Sequence, residues 1–102
     1  MEKYIKIAQK KDIADGKMKE YQVEGKTLVL ANIDGEYLAF DSVCTHAQCA
    51  LAGGYLSDYT LTCYCHGAQF DISTGEVLAP PATNPLRTYK VKTEGEDILV
   101  HV

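Results

Sequence analysis

CTHAQC at positions 44–49 and CYCHG at positions 63–67 are the two stretches that decide what this chain folds into. These first and second cysteine segments hold all four cysteines and two of the three histidines of the 102 residues. The cysteines of a disulfide framework normally link distant parts of a small chain. Grouping them in two short segments indicates instead that two loops converge on one bound group.

Each cysteine segment offers one sulfur and one nitrogen donor, from Cys44 and His46 in the first and from Cys63 and His66 in the second. Thiolate and imidazole suit iron–sulfur clusters, zinc and copper, and they do not suit magnesium or calcium. Zinc modules generally pair like donors within one segment, as C-x(2–4)-C and H-x(3–5)-H. The mixed segments therefore favour a binuclear centre, in which each segment gives its cysteine to one iron and its histidine to the other. A zinc-stabilised structural domain without redox function is an alternative.

The sequence on either side of these segments has the composition of short β-strands. β-Branched and aromatic residues recur between turns, and Asp34-Gly35 has the residues of a type I′ hairpin turn. One helical turn is predicted at positions 10–13. Strands are predicted at positions 4–7, 20–23, 27–33, 36–40, 86–93 and 98–102. Such spacing, with no convincing amphipathic helix, predicts an all-β sandwich or barrel.

The middle of the chain, about positions 43–85, has a different composition. It holds four of the eight glycines and all three prolines. Its apolar periodicity is too weak to hold it together by packing, so we expect it to owe its order to a bound ion or cluster. We therefore predict a single domain over 1–102, with a β base at 1–42 and 86–102 and an inserted cluster-binding subdomain at about 43–85.

The ligand spacing, Cys44-Thr45-His46 followed by Cys63-x-x-His66-Gly67, closely resembles the signature of Rieske 2Fe–2S proteins. The resemblance continues through Gln69-Phe70-Asp71, Thr74-Gly75, Pro80-Pro81-Ala82 and Pro85-Leu86-x-x-Tyr89. It implies the Rieske iron–sulfur fold, an antiparallel β base with an inserted cluster-binding subdomain. It also implies one 2Fe–2S cluster, with Cys44 and Cys63 on the inner iron and His46 and His66 on the outer iron. Such centres transfer one electron at potentials of about −150 to +300 mV.

The two extra cysteines, Cys49 and Cys65, match positions where Rieske proteins of the quinol-oxidising complexes form a disulfide between the cluster loops. The resemblance therefore implies a Cys49–Cys65 disulfide, although many Rieske ferredoxins of oxygenase systems have other residues there. A bond that closes a ring of about 15 residues stabilises a fold by ~3 kcal/mol in the chain-entropy model. The alternative is a pair of reduced thiols packed as small apolar groups.

Three departures from the quinol-oxidising pattern bear on the reduction potential. Ala68 and Phe70 stand where those proteins carry a serine and a tyrosine that donate hydrogen bonds to cluster sulfur, and Ala47 replaces an apical leucine. Donors to sulfur stabilise the reduced, more negative cluster. We therefore expect a potential well below that of the quinol-oxidising class.

The resemblance implies a one-electron carrier that passes electrons from a reductase to a terminal oxygenase or similar redox enzyme. The alternative is a small Rieske-like subunit of a larger reductase of the nitrite reductase type. A catalytic mononuclear iron needs two histidines and a carboxylate, and only His101 is left once the cluster is served. We therefore expect no enzyme activity of its own. We expect redox partners to dock around His46 and His66, with the small residues Ala47, Gly67 and Ala68.

The overall composition is that of an ordinary globular chain and excludes several partners. Ten basic and fourteen acidic side chains give a net charge of −4, so no cationic surface for nucleic acid or anionic lipid is expected. No apolar run approaches the roughly 20 residues that cross a bilayer. The first residues alternate in charge and lack the apolar stretch of a secretion signal. We expect a soluble cytoplasmic protein, monomeric when isolated.

Overall fold

The computed structural model describes residues 3–43, 50–64, 67–79 and 84–101. In this part of the chain the regular elements are ten β-strands and two short 3-10 helices, at Lys10–Asp12 and Leu51–Gly53. The strands are β1 Tyr4–Gln9, β2 Met18–Val23, β3 Lys26–Ile33, β4 Glu36–Asp41, β5 Tyr55–Ser57, β6 Thr60–Thr62, β7 Gln69–Asp71, β8 Val77–Ala79, β9 Thr88–Glu94 and β10 Asp97–His101. They form two antiparallel sheets, which confirms the all-β prediction.

The larger sheet has six strands in the order β1-β10-β9-β4-β3-β2 and curves into a nearly closed barrel. The β3–β4 hairpin turns at Asp34 and Gly35, whose φ angles of 55° and 88° are both positive, as a type I′ turn requires. The pairing of β4 with β9 joins Ala39 to Tyr89 and Phe40 to Thr88. Because these two strands are neighbours, the chain between them leaves the large sheet and returns to it at one place.

Strand β3 separates two apolar cores. Successive side chains of a strand point to opposite faces, and here both faces are buried. Leu28 and Leu30 pack with residues of the large sheet such as Ile98, whereas Val29 and Ala31 pack with residues of the small sheet. The small sheet therefore lies against the outer face of β3 and β4.

The small sheet has the order β5-β6-β7-β8 and comes from the middle of the chain. The expectation that this region cannot hold itself together by packing is wrong for its described residues. Its side chains fill half of the core shared with the large sheet, and six of them are nearly or fully buried: Leu51, Leu61, Cys63, Ala68, Phe70 and Ile72. Each strand has only three residues, so the one or two inward positions per strand leave no visible alternation.

The predicted elements of the large sheet agree with the structure to within two residues at either end, and the predicted helical turn at 10–13 is the 3-10 helix at Lys10–Asp12. Errors of two residues occur at the end of β1 and at the starts of β2 and β9. Leu86 precedes β9, and its N–H binds the carbonyl oxygen of Gly75, outside the large sheet. No helix in the described ranges is long and apolar enough to cross a membrane.

Candidate metal centre

The predicted ligands and the predicted disulfide fall largely outside the described residues. Of the six cysteine and histidine positions, Cys63 alone is described. The others lie in the ranges 44–49 and 65–66, namely Cys44, His46, Cys49, Cys65 and His66. The structure therefore shows how the chain enters and leaves these ranges, and the ligand set stays a prediction.

Cys63 follows β6 directly and is only 1% exposed. Its backbone N–H donates to the carbonyl oxygen of Ala68 at 2.8 Å, and the N–H of Gly67 donates to the carbonyl oxygen of Cys63 at 3.1 Å. These two bonds close the second cysteine segment at the end of the β6–β7 hairpin. The Cys63 side chain lies in the apolar core together with Phe70 and Leu61.

The two ends of the first cysteine segment are also held together. Val43 and Ala50, which flank positions 44–49, form an antiparallel bridge. Next to it, the N–H of Leu51 donates to the carbonyl oxygen of buried Ser42 at 2.7 Å. The first cysteine segment therefore begins and ends beside the last residue of β4, Asp41.

Gly54 allows the chain that returns from the first cysteine segment to pass close to the second. A β-carbon at this position would lie 2.4 Å from the carbonyl oxygen of Thr62, the residue before Cys63. No side chain fits in that space. Backbone therefore packs directly against backbone here, between the residues that follow the first cysteine segment and those that precede the second.

The residues before and after the proline-containing range are joined to each other at Gly75 and Leu86. The N–H of Leu86 donates to the carbonyl oxygen of Gly75 at 2.7 Å. A β-carbon on Gly75 would lie 2.0 Å from the Leu86 carbonyl oxygen, and the φ of Gly75 is +86°. Both facts explain why the Thr74-Gly75 part of the motif needs glycine. The prolines at 80 and 81 lie outside the described residues.

Ala68 and Phe70, the positions without hydroxyl groups, are both fully buried in the core that contains Cys63. The expectation that Ala68 contributes to a docking surface is therefore wrong. Its backbone carbonyl closes the second cysteine segment and its methyl group faces the core, whereas Gly67 is exposed.

The chain between Asp41 and Leu86 contains few charged residues, and its only charged side chains are acidic. Positions 42–57, 59–70 and 77–86 contain no Asp, Glu, Lys or Arg. Large apolar side chains next to the undescribed ranges are nevertheless exposed: Val43 by 42%, Tyr64 by 51% and Leu78 by 46%. An exposed apolar and uncharged border is typical of a surface that meets another protein.

A tyrosine–carboxylate pair lies where the first cysteine segment starts. The hydroxyl of Tyr89 on β9 donates to Asp41 Oδ1 at the end of β4. Burial, together with this hydrogen bond and the charge of Asp41, raises the pKa of Tyr89 to about 12. Nothing in the local sequence singles out Asp41, because the β4–β9 pairing brings together two residues that are 48 positions apart.

Comparison with known proteins decides the family. The model of the Rieske [2Fe-2S] domain matches residues 3–90. The chain belongs to the Rieske family. The match covers both cysteine segments, so the Rieske protein carries one Rieske-type 2Fe–2S cluster, and the zinc alternative loses its support.

The Rieske chain is similar to named ferredoxins along nearly its whole length. It is 41% identical over 95 residues to the ferredoxin component of biphenyl 2,3-dioxygenase of Rhodococcus jostii (strain RHA1), covering 93% of this chain and 89% of that one. It is 36% identical over 98 residues to the ferredoxin component of the naphthalene 1,2-dioxygenase system of Pseudomonas putida, covering 96% and 94%. Among solved structures, the ferredoxin of carbazole 1,9a-dioxygenase from Nocardioides aromaticivorans IC177 superposes with a TM-score of 0.92, at 26% identity and 96% coverage of both chains.

Proposed function

We propose that this Rieske protein is a soluble one-electron carrier that passes electrons from a reductase to a terminal oxygenase. It is an electron-transfer component and not a catalytic enzyme. The observation that carries the proposal is its likeness, over almost the full length, to ferredoxin components of dioxygenase systems. A small subunit of a reductase of the nitrite reductase type is the alternative, and no relative named above supports it.

Cys44 and Cys63 would hold the inner iron of the cluster, and His46 and His66 would hold the outer iron. When bound, the cluster accepts and releases single electrons. The described surroundings of Cys63 fit this cofactor, because they bring a sulfur donor into a core of aliphatic and aromatic side chains. Phe70 and Leu61 exclude water from that side, and the backbone bonds from Cys63 to Ala68 fix the segment that carries His66.

Four further assignments rest on the sequence and go together with this function. Residues 1–102 form one Rieske domain, with its base at 1–42 and 86–102 and its cluster-binding subdomain at about 43–85. The described sheets support that division, since the strands of the small sheet all lie between 55 and 79. We locate the protein in the cytoplasm and expect a monomer.

The Cys49–Cys65 pair forms a disulfide. Thiol counting on denatured apo-protein tests this assignment: two free thiols without reductant are expected, and four would contradict it.

The oxygenase docks around His46 and His66, which would hold the outer iron, and around the exposed Gly67. Because the flanking positions are uncharged, association depends on apolar contact more than on ion pairs. Electron transfer to the oxygenase should therefore change by less than about twofold between roughly 0.05 and 0.5 M salt, whereas charge-steered association falls steeply.

The function is tested by mixing the anaerobically reduced protein with the oxidised oxygenase component of a biphenyl dioxygenase in a stopped-flow spectrometer. Rapid reoxidation of the carrier is expected. Tyr64→Ser should slow it, since Tyr64 is half exposed beside Cys65. The matched control is Tyr59→Ser, at the opposite end of β6, which should leave the rate unchanged. Failure of the wild-type protein to transfer electrons, combined with co-purification with a large reductase subunit, would favour the alternative.

A further inference from the structure

Residues Leu86–Tyr89, here called the tie segment, contact both the cluster-binding region, at Gly75, and the end of β4, at Asp41. The segment begins where the chain returns from the prolines, and it ends in β9. At its first residue, the backbone of Leu86 binds Gly75 so closely that no β-carbon fits between them. The tie segment is therefore fixed to the small sheet, just after β7.

The tie segment also makes two hydrogen bonds with Asp41. The N–H of Asp41 donates to the carbonyl oxygen of Arg87 at 2.9 Å. The carboxylate of Asp41 accepts a hydrogen bond from the hydroxyl of Tyr89. Asp41 is held by both its backbone and its side chain. It lies three residues before Cys44, a span of roughly 10 Å of extended chain.

The ring of Tyr89 is itself held in place. The guanidinium carbon of Arg87 lies 5.4 Å from the ring centroid, and the ammonium of Lys26 on β3 lies 5.8 Å from it. Cations at such distances are attracted to an aromatic face. Tyr89 also pairs in register with Ala39, so its hydroxyl reaches Asp41 along the diagonal of the β4–β9 ladder. Arg87 and Lys26 therefore hold the ring of Tyr89, and its pairing with β4 directs the hydroxyl towards Asp41.

We propose that Tyr89 is a positioning residue for the cluster. Its hydrogen bond to Asp41 fixes the start of the first cysteine segment relative to the small sheet that carries Cys63. The inference rests on the proposed ligands, because Cys44 and His46 follow Asp41 whereas Cys63 and His66 follow β6. Tyr89 holds the two ligand pairs at one separation without touching the cluster itself.

The test compares Tyr89→Phe with Tyr59→Phe in the cluster-loaded protein. Tyr59 is the matched control because its hydroxyl donates to the carboxylate of Glu36, at the opposite end of β4. Both variants lose one tyrosine–carboxylate bond. The measurements are the rate of cluster loss in the presence of an iron chelator, followed by visible absorbance, and the EPR spectrum of the reduced protein. A thermal unfolding curve records the structural effect of each change.

Tyr89→Phe should lose its cluster about tenfold faster than wild type, the effect expected from losing a hydrogen bond to a charged group, and its EPR lines should shift. Tyr59→Phe should match the wild-type protein in both readouts, even where the unfolding temperatures of the two variants are similar. Asp41→Asn keeps an oxygen acceptor for Tyr89 and should retain most of the wild-type behaviour. Asp41→Ala removes the acceptor of the same hydrogen bond and should reproduce the effects of Tyr89→Phe. It replaces Tyr89→Phe in the test where Tyr89→Phe does not fold.

Equal cluster-loss rates and identical EPR spectra in Tyr89→Phe and Tyr59→Phe would overturn the proposal. Parallel changes in both variants would overturn it too, since they would reflect general stability. These results differ from a failure of the proposed function, which would appear as a wild-type protein that holds no iron–sulfur cluster.

Discussion

The large sheet and the small sheet of this protein are held together in different ways. The large sheet has strands of five to eight residues, three pairs of which are joined by tight hairpins, and β3 within it is buried on both faces. The small sheet has strands of three residues and depends on a few backbone contacts at its edges, at Gly54, Val43–Ala50 and Gly75–Leu86. The region that carries the chemistry is therefore fixed by specific close approaches and not by the length of its strands.

The basic residues are also distributed unevenly along the chain. All ten Lys and Arg residues lie within positions 3–26 and 87–92, and none lies in the 60 positions from 27 to 86. The cysteine segments are thus left without a neighbouring cation in sequence. We expect association with a partner at that end to use apolar contact more than ion pairs.

Gly75→Ala should have the largest effect on stability. The new β-carbon would meet the Leu86 carbonyl oxygen at 2.0 Å, in a backbone conformation that side chains rarely adopt. We expect a loss of about 4 kcal/mol in the free energy of unfolding, or no folding. The control is Gly35→Ala, which has a similar positive φ and open space around it, and should lose only about 1–2 kcal/mol. Equal losses in chemical denaturation would show that the close approach to Leu86 contributes nothing.

Leu61→Ala and Ile98→Ala compare the two cores. Both side chains are fully buried, Leu61 beside Cys63 and Ile98 in the core of the large sheet. Each truncation should cost about 3 kcal/mol of folding free energy. Only Leu61→Ala should also speed the loss of the cluster to a chelator at a temperature where both variants are folded. If Ile98→Ala loses its cluster equally fast, the two cores do not act separately.

Ala68→Ser restores a hydroxyl at a buried position in the core of Cys63. A new hydrogen bond to cluster sulfur should raise the reduction potential by about 40 mV, which corresponds to about 1 kcal/mol for one electron. Ala39→Ser, at a buried position in the core of the large sheet, should leave the potential unchanged. Protein-film voltammetry measures both. A potential that Ala68→Ser leaves unaltered would contradict our explanation of why this protein should lie below the quinol-oxidising class.

The smallest expected effect is on stability at alkaline pH. Burial and Asp41 raise the pKa of Tyr89 from 10.0 to about 12 in the folded protein. The unfolded chain therefore loses this proton first as the pH rises. The contribution of Tyr89 to stability is complete below pH 10 and disappears as the pH passes through about 12. Denaturation of Tyr89→Phe should show a shallower decline than wild type over that range, and parallel curves would argue against the hydrogen bond.

The sequence predicted the large sheet well because its elements obey local rules. Alternating apolar residues and the Asp34-Gly35 turn define the β3–β4 hairpin without any long-range information. The small sheet was not predicted, because Leu61 and Phe70 are each the single fully buried residue of a three-residue strand. A pattern with one member per strand cannot be distinguished from a loop.

The chemistry of the site could be predicted from the sequence, but the contacts that hold the site in place could not. The spacing of Cys44, His46, Cys63 and His66 indicated the cofactor, and the family match agrees with it. The contacts of Asp41 with Tyr89 and of Gly75 with Leu86 depend on which strands become neighbours. That information belongs to the topology of the whole chain, so no local pattern contains it.

The central claim is that two cysteine segments with one sulfur and one nitrogen ligand each bind a pair of bridged irons. Chemical analysis of protein purified anaerobically, combined with EPR spectroscopy after reduction with dithionite, tests it most directly. We expect equal amounts of iron and acid-labile sulfide, about two of each per chain, and a Rieske-type EPR signal that requires both His46 and His66. Colourless protein that contains zinc, or neither iron nor labile sulfide, would contradict the account.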